Sequence, residues 1–313
     1  MAPATQAIGN SLTHKRMLIT GGTVFVSRYA AEYFARKGNE VFVLNRNTRP
    51  QAEGVTLIEG DRNQLGNCLK GYHFDVVLDI NAYTEMDIKN LLDGLDEIHD
   101  YIFISSSAVY PETLPQPFHE EQHCGANSIW GAYGIHKIEA EQYLTRHVPQ
   151  AYIIRPPYLY GPMQNIYREP FVFECARTQK PFFIPKDGSM KLQFFHVEDL
   201  CRFIDILLEQ QPQNHIFNVG NPDVTDINQW VELCYHVVGT ECEKIYVDAS
   251  YPQRNYFPFY DYEYRLDISK QQELMPNTKS LFHGLQESYK WYCLHENLVI
   301  KKPYLEYITQ NLL

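Results

Sequence analysis

The sequence predicts an α/β protein, a doubly wound parallel sheet with a smaller mixed lobe towards the C-terminus. Two observations predict it. Short, wholly apolar runs recur through the first half of the chain, separated by helical patterns. Several of these runs stop at glycine or at a small polar residue. Apolar runs without polar alternation are strands buried on both faces, and their alternation with helices makes the sheet parallel.

The elements follow in order. Residues 1–14 are small and polar without periodicity, which predicts a disordered tail. Arg16-Met-Leu-Ile-Thr20 is the first strand and stops at Gly21-Gly22. A stripe of Phe25, Tyr29, Ala30 and Tyr33 predicts a helix ending at Lys37-Gly38, where glycine can cap. Val41-Phe-Val-Leu44 and Val55-Thr-Leu-Ile58 are the next strands, the latter leading into Glu59-Gly-Asp61. Asp75-Val-Val-Leu-Asp-Ile80 leads into Asn81-Ala-Tyr83, and a helix is expected over about 86–98. Tyr101-Ile-Phe-Ile104 runs into Ser105-Ser-Ser107, a helix carrying Tyr133 extends to about Arg146, and Ala151-Tyr-Ile-Ile154 leads into Arg155-Pro-Pro157. These turns lie at strand carboxyl ends, where sheets of this kind bind ligands. Residues 15–162 therefore read as a nucleotide-binding domain and 163–313 as a substrate lobe. A helix starting in Phe194-Phe-His-Val-Glu-Asp-Leu200 and a strand at Ile216-Phe-Asn-Val219 predict that about 190–222 returns to the main domain.

The bulk numbers narrow the function. At 313 residues, 44% hydrophobic and 21% charged, the chain has a globular composition. A net charge of −11 disfavours a general nucleic-acid or anionic-membrane binder. No apolar run reaches membrane-span length. Seven scattered cysteines without Cys-x-x-Cys argue against a disulfide framework or zinc site, so the expected setting is cytoplasmic and no metal is expected.

The chemistry centres on Tyr133-Gly-Ile-His-Lys137. On a helix these two side chains share a face, and an ammonium near a phenol favours phenolate, making the tyrosine a base. The spacing alone is weak, since Tyr33 and Lys37 repeat it. Ser105, Ser106 and Ser107 end the preceding strand, as hydroxyl donors to a substrate oxygen or as a polar turn. Gly21-Gly-Thr-Val-Phe-Val-Ser27 sits where a helix N-terminus would meet a pyrophosphate, or is a turn without a ligand. Asn45-Arg46 ends the second strand without the carboxylate that favours NAD, and Arg46 suits a 2′-phosphate or stays solvated. Asp61 is placed for an adenine amino group or is a turn residue. His119 and His123 with Glu120, Glu121 and Cys124 form a metal-like set that also fits a solvated loop, and His196 reads as a core or supporting histidine. The run from Tyr251 to Tyr264 either lines the pocket or packs the lobe.

Together these segments resemble the extended short-chain dehydrogenase/reductases of the NAD-dependent epimerase/dehydratase type. Ile19–Ser27, Phe103-Ile-Ser-Ser-Ser-Ala-Val-Tyr110, Tyr133–Lys137, Ile154-Arg-Pro-Pro-Tyr-Leu-Tyr-Gly-Pro162, Phe195-His-Val-Glu-Asp199, Phe217-Asn-Val-Gly220 and Leu266-Asp-Ile-Ser-Lys270 carry the resemblance over about 15–295. It implies a Rossmann-type domain, bound NAD(P), and a catalytic set of Ser106, Tyr133 and Lys137. The implied cofactor contacts are Gly21, Thr23, Phe25, Val26, Asn45, Arg46, Asp61, Arg62, Asn81, Tyr133, Lys137 and Pro156, with Ser107, Tyr158 and Gln193 facing substrate. Arg46 points towards NADP(H). A homodimer through a helical bundle containing the Tyr133 helix is also implied.

The departures shape the expected reaction. Dehydratases of this type carry an Asp-Glu pair after the catalytic hydroxyl; here Ser107-Ala108 follow Ser106. Valine and serine replace glycines at 24 and 27, Tyr158 stands where asparagine is common, and Leu192 where a diphosphate-binding arginine is common. The leading expectation is an epimerase of a nucleotide-linked sugar, in which Tyr133 removes a hydroxyl proton during transient oxidation and the cofactor ends unchanged. One alternative is an NADP(H)-dependent reductase or dehydrogenase of a small carbonyl or alcohol. The other is a non-catalytic nucleotide- or RNA-binding protein of the same fold, since Gly21-Gly-Thr-x-Phe and Asn45-Arg46 also resemble chloroplast stem-loop RNA-binding relatives.

Overall fold

The computed structural model describes residues 14–313; residues 1–13, most of the expected tail, lie outside them. The first half alternates strand and helix: β1 (Arg16–Thr20), α1 (Phe25–Arg36), β2 (Glu40–Asn45), β3 (Val55–Glu59), β4 (Val76–Asp79), α2 (Glu85–Gly94), β5 (Asp100–Ile104), α3 (Ala132–His147) and β6 (Tyr152–Arg155). The second half holds β7 (Tyr158–Tyr160), α4 (Glu169–Arg177), β8 (Phe182–Pro185), β9 (Lys191–Leu192), β10 (Phe194–His196), α5 (Val197–Gln210), β11 (Ile216–Asn218), β12 (Thr225–Asp226), α6 (Ile227–Val238) and β13 (Lys244–Val247). Three helices close the chain, α7 (Ser269–Leu274), α8 (Leu281–His295) and α9 (Tyr304–Asn311).

Seven strands form one parallel sheet in the order β3-β2-β1-β4-β5-β6-β11. The chain runs outward from β1 to β3, then returns to lay β4 on the other side of β1. That reversal opens a crevice at the carboxyl ends of β1 and β4, the usual ligand position in such sheets. One face of the sheet packs on α1 and α5 through Ala30, Phe34, Leu200 and Ile204; the other packs on α2 and α3 through Ile88, Leu91, Ala140 and Leu144. This is the predicted doubly wound α/β fold.

The remaining elements build a second core around Tyr160, Phe171, Phe182, Trp230, Tyr235 and Phe257. Two short strand pairs, β7 with β10 and β8 with β13, contribute Tyr160, Phe194, Phe182 and Val247 to it. β11 joins β6, so the chain re-enters the main sheet at Ile216.

Two expected helix boundaries move. The helix placed over 86–98 ends at Gly94, because Leu95 turns extended and the Asp96 carboxylate accepts from the Gly71 N–H at 2.8 Å and Lys70 Nζ at 2.9 Å. The helix expected to start in the Phe194 segment begins at Val197. Phe194–His196 is a strand that pairs with Tyr158–Tyr160, and His196 caps α5 by accepting from the Glu198 N–H.

Tyr33 and Lys37 both reach the Asp205 carboxylate, at 2.8 and 2.6 Å. The second Tyr-x-x-x-Lys pair is thus a clamp between α1 and α5.

Candidate active site

The glycine turn after β1 begins the site. Gly21 and Gly22 have φ of +90° and +84°, where an L side chain is strained. A Cβ on Gly22 would also lie 2.5 Å from Val43 Cγ1, so the turn can pass close to β2 only with glycine there. Ser27, in place of a third glycine, turns its hydroxyl back onto the Val24 carbonyl at 3.0 Å and packs behind Gly21. The substitution therefore fills the inner side of the turn. The first N–H groups of α1 lack intrahelical partners, as at any helix start.

A cavity of about 470 Å³ opens beside this turn. It is lined by Gly21, Thr23, Asn45, Arg46, Asp61, Arg62 and Asn81, all predicted, and by Thr48, Arg49 and Tyr83, which were not. Asn45 holds the cavity's edge by donating to the Gly21 carbonyl at 2.7 Å. Asp61 caps the short turn at Arg62–Gln64 by accepting from the Asn63 N–H. Beneath lies a buried polar knot that the sequence did not reveal. The Asp79 carboxylate accepts from Thr20 Oγ1 at 2.8 Å, Tyr101 OH at 2.7 Å and Arg62 Nη2 at 2.5 Å. Arg62 also donates to Asn81 Oδ1 at 2.8 Å, so it is fixed from two sides.

A second cavity, of about 400 Å³, contains Ser106, Ser107, Tyr133, Lys137, Phe25, Val26, Pro156 and Tyr158. Tyr83 lines both cavities, its ring 6.1 Å from that of Tyr133, so the two are neighbours. Trp130 and Arg168 also line the second cavity and were missed, while Tyr264 comes from the tyrosine run expected either here or in the lobe. Arg168 lies in a stretch without periodicity, so no spacing marks it. Tyr83 did end a predicted strand turn, and that position was its only signal.

Gln193 is a correction. It is buried outside both cavities, its amide oxygen accepting from the Leu266 N–H at 2.8 Å and its amide nitrogen directed at the Asn221 and Leu266 carbonyls. A side chain so engaged clips the chain and does not face a substrate.

The Tyr133–Lys137 relationship also differs from expectation. Lys137 donates to the Ala82 carbonyl at 2.7 Å and the Ile104 carbonyl at 2.9 Å, with its ammonium 4.7 Å from the Phe103 ring centre. Burial pushes its pKa down to about 8, with Asp79 and Glu141 opposing. Tyr133 is 38% exposed as a residue, yet its phenol end is withdrawn from water, and burial raises its pKa against the opposing Ser106 hydroxyl. The expected depression of the phenol by the lysine is absent because the ammonium is anchored to backbone carbonyls. The unfolded chain holds the Lys137 proton to about pH 10.4. Unfolding therefore takes up a proton between about pH 8 and that value, and stability rises with pH across this window. The expected result is a wild-type midpoint that gains on that of Lys137→Met as pH rises from neutral to about 10, read by thermal melts. Parallel curves would contradict it.

Other sequence candidates resolve into structure. Glu120 is buried and accepts from the Asn218 N–H, Glu121 pairs with Lys270, His119 faces Asp267 and Cys124 lies 3.3 Å from Arg155 Nη2. The set does not converge on a point. His196, Glu198 and Glu287 do bring ligand atoms within 4.8 Å of one another. However, His196 Nδ1 accepts from the Glu198 N–H, which leaves the proton on Nε2, and Lys279 already bridges both carboxylates. Burial, then Lys279, pushes the His196 pKa down to about 3. The Tyr251–Tyr264 run divides: Tyr256 is in the lobe core, Tyr264 in the cavity wall.

The glycine cradle, the crevice at the strand reversal and the Ser106, Tyr133 and Lys137 cavity fit a dinucleotide lying across the sheet edge. Fold and site resemble those of the extended short-chain dehydrogenase/reductases. Residues 89–220 match the model of the NAD dependent epimerase/dehydratase family. It is 25% identical over 302 residues to the chloroplast stem-loop binding protein of 41 kDa b from Arabidopsis thaliana, covering 88% of this chain and 79% of that protein. It is 24% identical over 268 residues to UDP-glucose 4-epimerase from Corynebacterium glutamicum, covering 72% and 80%. Among solved structures, dTDP-glucose 4,6-dehydratase from Bacillus anthracis in complex with NAD matches with a TM-score of 0.74 at 19% identity, covering 91% of this chain and 98% of that one. Among the described residues, no helix is long and apolar enough to cross a membrane.

Proposed function

We infer that the chain is an NAD(P)-dependent epimerase acting on a nucleotide-linked sugar. The observation that carries this reading is the meeting of Ser106, Tyr133 and Lys137 in one cavity, which shares Tyr83 with the cavity beside the glycine turn. Tyr133, as the phenolate, accepts the proton of a substrate hydroxyl and later returns it, while the Ser106 hydroxyl hydrogen-bonds the same oxygen. Lys137, fixed by the Ala82 and Ile104 carbonyls, presents its remaining N–H to the cofactor ribose. Bound NAD(P) supplies the hydride acceptor. Ser107 donates to the Tyr264 hydroxyl at 3.2 Å and Ala108 is buried, so neither serves as acid or base for water elimination. Gly21, Thr23, Phe25, Val26, Asn45, Asp61, Arg62, Asn81 and Pro156 are assigned to the cofactor, Ser107 and Tyr158 to the substrate. The reading extends to a homodimer through a helical bundle including α3, and to a cytoplasmic setting in keeping with seven unbridged cysteines.

The direct test incubates the protein with UDP-glucose and a trace of NAD⁺ and follows UDP-galactose by NMR. Product without net nicotinamide reduction supports epimerisation. Stoichiometric nicotinamide absorbance change would instead favour net redox chemistry.

One observation favours that second reading, an NADP(H)-dependent reductase. Arg46 and Arg49 both line the nucleotide cavity, and neither forms an ion pair among the described residues. Two free guanidiniums suit a ribose 2′-phosphate. Arg46→Ala with Arg49→Ala is expected to weaken NADP⁺ binding at least tenfold and NAD⁺ little, by equilibrium titration. Equal loss for both cofactors would remove the NADP assignment. A role limited to RNA binding is disfavoured by the net charge of −11.

A further inference from the structure

Tyr83 is the one residue common to the walls of the two cavities. It follows the carboxyl end of β4 and stands two residues before α2. Its main chain is pinned on both sides. The Tyr83 N–H donates to the Asp87 carboxylate at 2.9 Å, Thr84 and Asp87 form a capping box on α2, and the Ala82 carbonyl accepts from Lys137 Nζ at 2.7 Å. The side chain is held far less. Tyr83 is 55% exposed, and its ring stands against the two side chains proposed for proton transfer and ribose binding. The ring centre lies 5.2 Å from the Lys137 ammonium and 6.1 Å from the Tyr133 ring centre. A tyrosine with a fixed main chain and an exposed ring changes rotamer without moving the turn that carries it.

A dinucleotide that occupies the cavity beside the glycine turn and also reaches Ser106, Tyr133 and Lys137 has to cross at Tyr83. We propose that the Tyr83 ring is a gate on the cofactor: it turns aside to let the nucleotide pass and returns over the crossing point, slowing both entry and release. The apolar face that the ring leaves in water is then recovered against the bound nucleotide. The inference rests on the reading of the two cavities as one NAD(P) site. It suits an epimerase in particular, because a cofactor that ends each cycle unchanged has no need to exchange.

The test is stopped-flow fluorescence of the full chain with NADH and with NADPH. Mixing gives the entry rate, and displacement by excess oxidised nucleotide gives the release rate. Tyr83→Ala is expected to raise release by about tenfold and to raise entry as well, so that Kd changes less than the release rate. Tyr83→Phe keeps the ring and is expected to match the wild type in both. A ring that served only as a contact, or only to support the turn, would speed release without speeding entry. Unchanged release in Tyr83→Ala, faster release with unchanged or slower entry, or a Tyr83→Phe that behaves as Tyr83→Ala therefore overturns the gate. A wild type that binds neither nucleotide overturns the gate and the cofactor reading together. No sugar is present, so a gate that passes this test stands even where the protein converts no nucleotide-linked sugar.

Discussion

Tyr133→Phe is expected to lower turnover by about a hundredfold to ten-thousandfold, the usual contribution of a positioned acid or base. The phenol is the group best placed for proton transfer, sharing a cavity with Ser106 and Lys137. Phenylalanine keeps the ring that faces Tyr83, so the wall shared by the two cavities should stay in place and cofactor affinity should hold. The loss should therefore fall on kcat, with KM and nucleotide binding near wild type. Because burial raises the phenol's pKa, the wild-type rate in the oxidising direction should also climb with pH, and Tyr133→Phe should flatten that climb. A variant with full turnover would move catalysis away from Tyr133 altogether. A variant that also lost nucleotide would give the ring a binding role.

The fold was legible because its signal is local. Runs such as Val76-Val-Leu-Asp79 and Tyr101-Ile-Phe-Ile104 are apolar throughout since both sheet faces are covered, and glycine or small polar residues mark several of the carboxyl ends. Site residues at those ends were found by the same route, for the sheet order brings Gly21, Asn45, Asp61 and Asn81 around one cavity. What failed was decided by tertiary partners. The resemblance implied that Gln193 faces substrate, yet Leu266, more than seventy residues away, takes up its amide. Lys137 sits one turn beyond Tyr133, yet two carbonyls from other elements capture its ammonium. Arg168 has no periodic context, and only the packing of Tyr158 and Phe259 brings it to the cavity. For Lys137 sequence spacing gave the side chain's position but not the groups that would compete for it, and for Arg168 it gave neither.

The largest effect on stability should come from Glu141, one helical turn beyond Lys137. Its carboxylate accepts from Arg155 Nη2 at 2.6 Å, Arg155 Nε at 3.0 Å and Ser105 Oγ at 2.5 Å. The Glu141 and Arg155 side chains are 6% and 3% exposed, and Glu141 holds the guanidinium well above its ordinary pKa despite burial. Arg155 in turn donates to the Tyr110 hydroxyl at 2.9 Å, which donates to Asn218 Oδ1 at 2.8 Å. The network thus ties α3, β5, β6 and β11 together behind the strand end that carries Ser106. Glu141→Ala leaves a buried guanidinium without its counter-charge, a change that costs about 3–5 kcal/mol. That loss should appear as a lower urea midpoint with little change in slope. Glu141→Leu combined with Arg155→Met removes both charges, and should cost less than Glu141→Ala alone. If the double variant were instead the weaker protein, the hydrogen bonds to Ser105 and Tyr110 would outweigh the ion pair. Ser106 follows Ser105, and Pro156 follows Arg155 into the same cavity wall. The single variant should therefore also lose turnover beyond what its unfolded fraction explains.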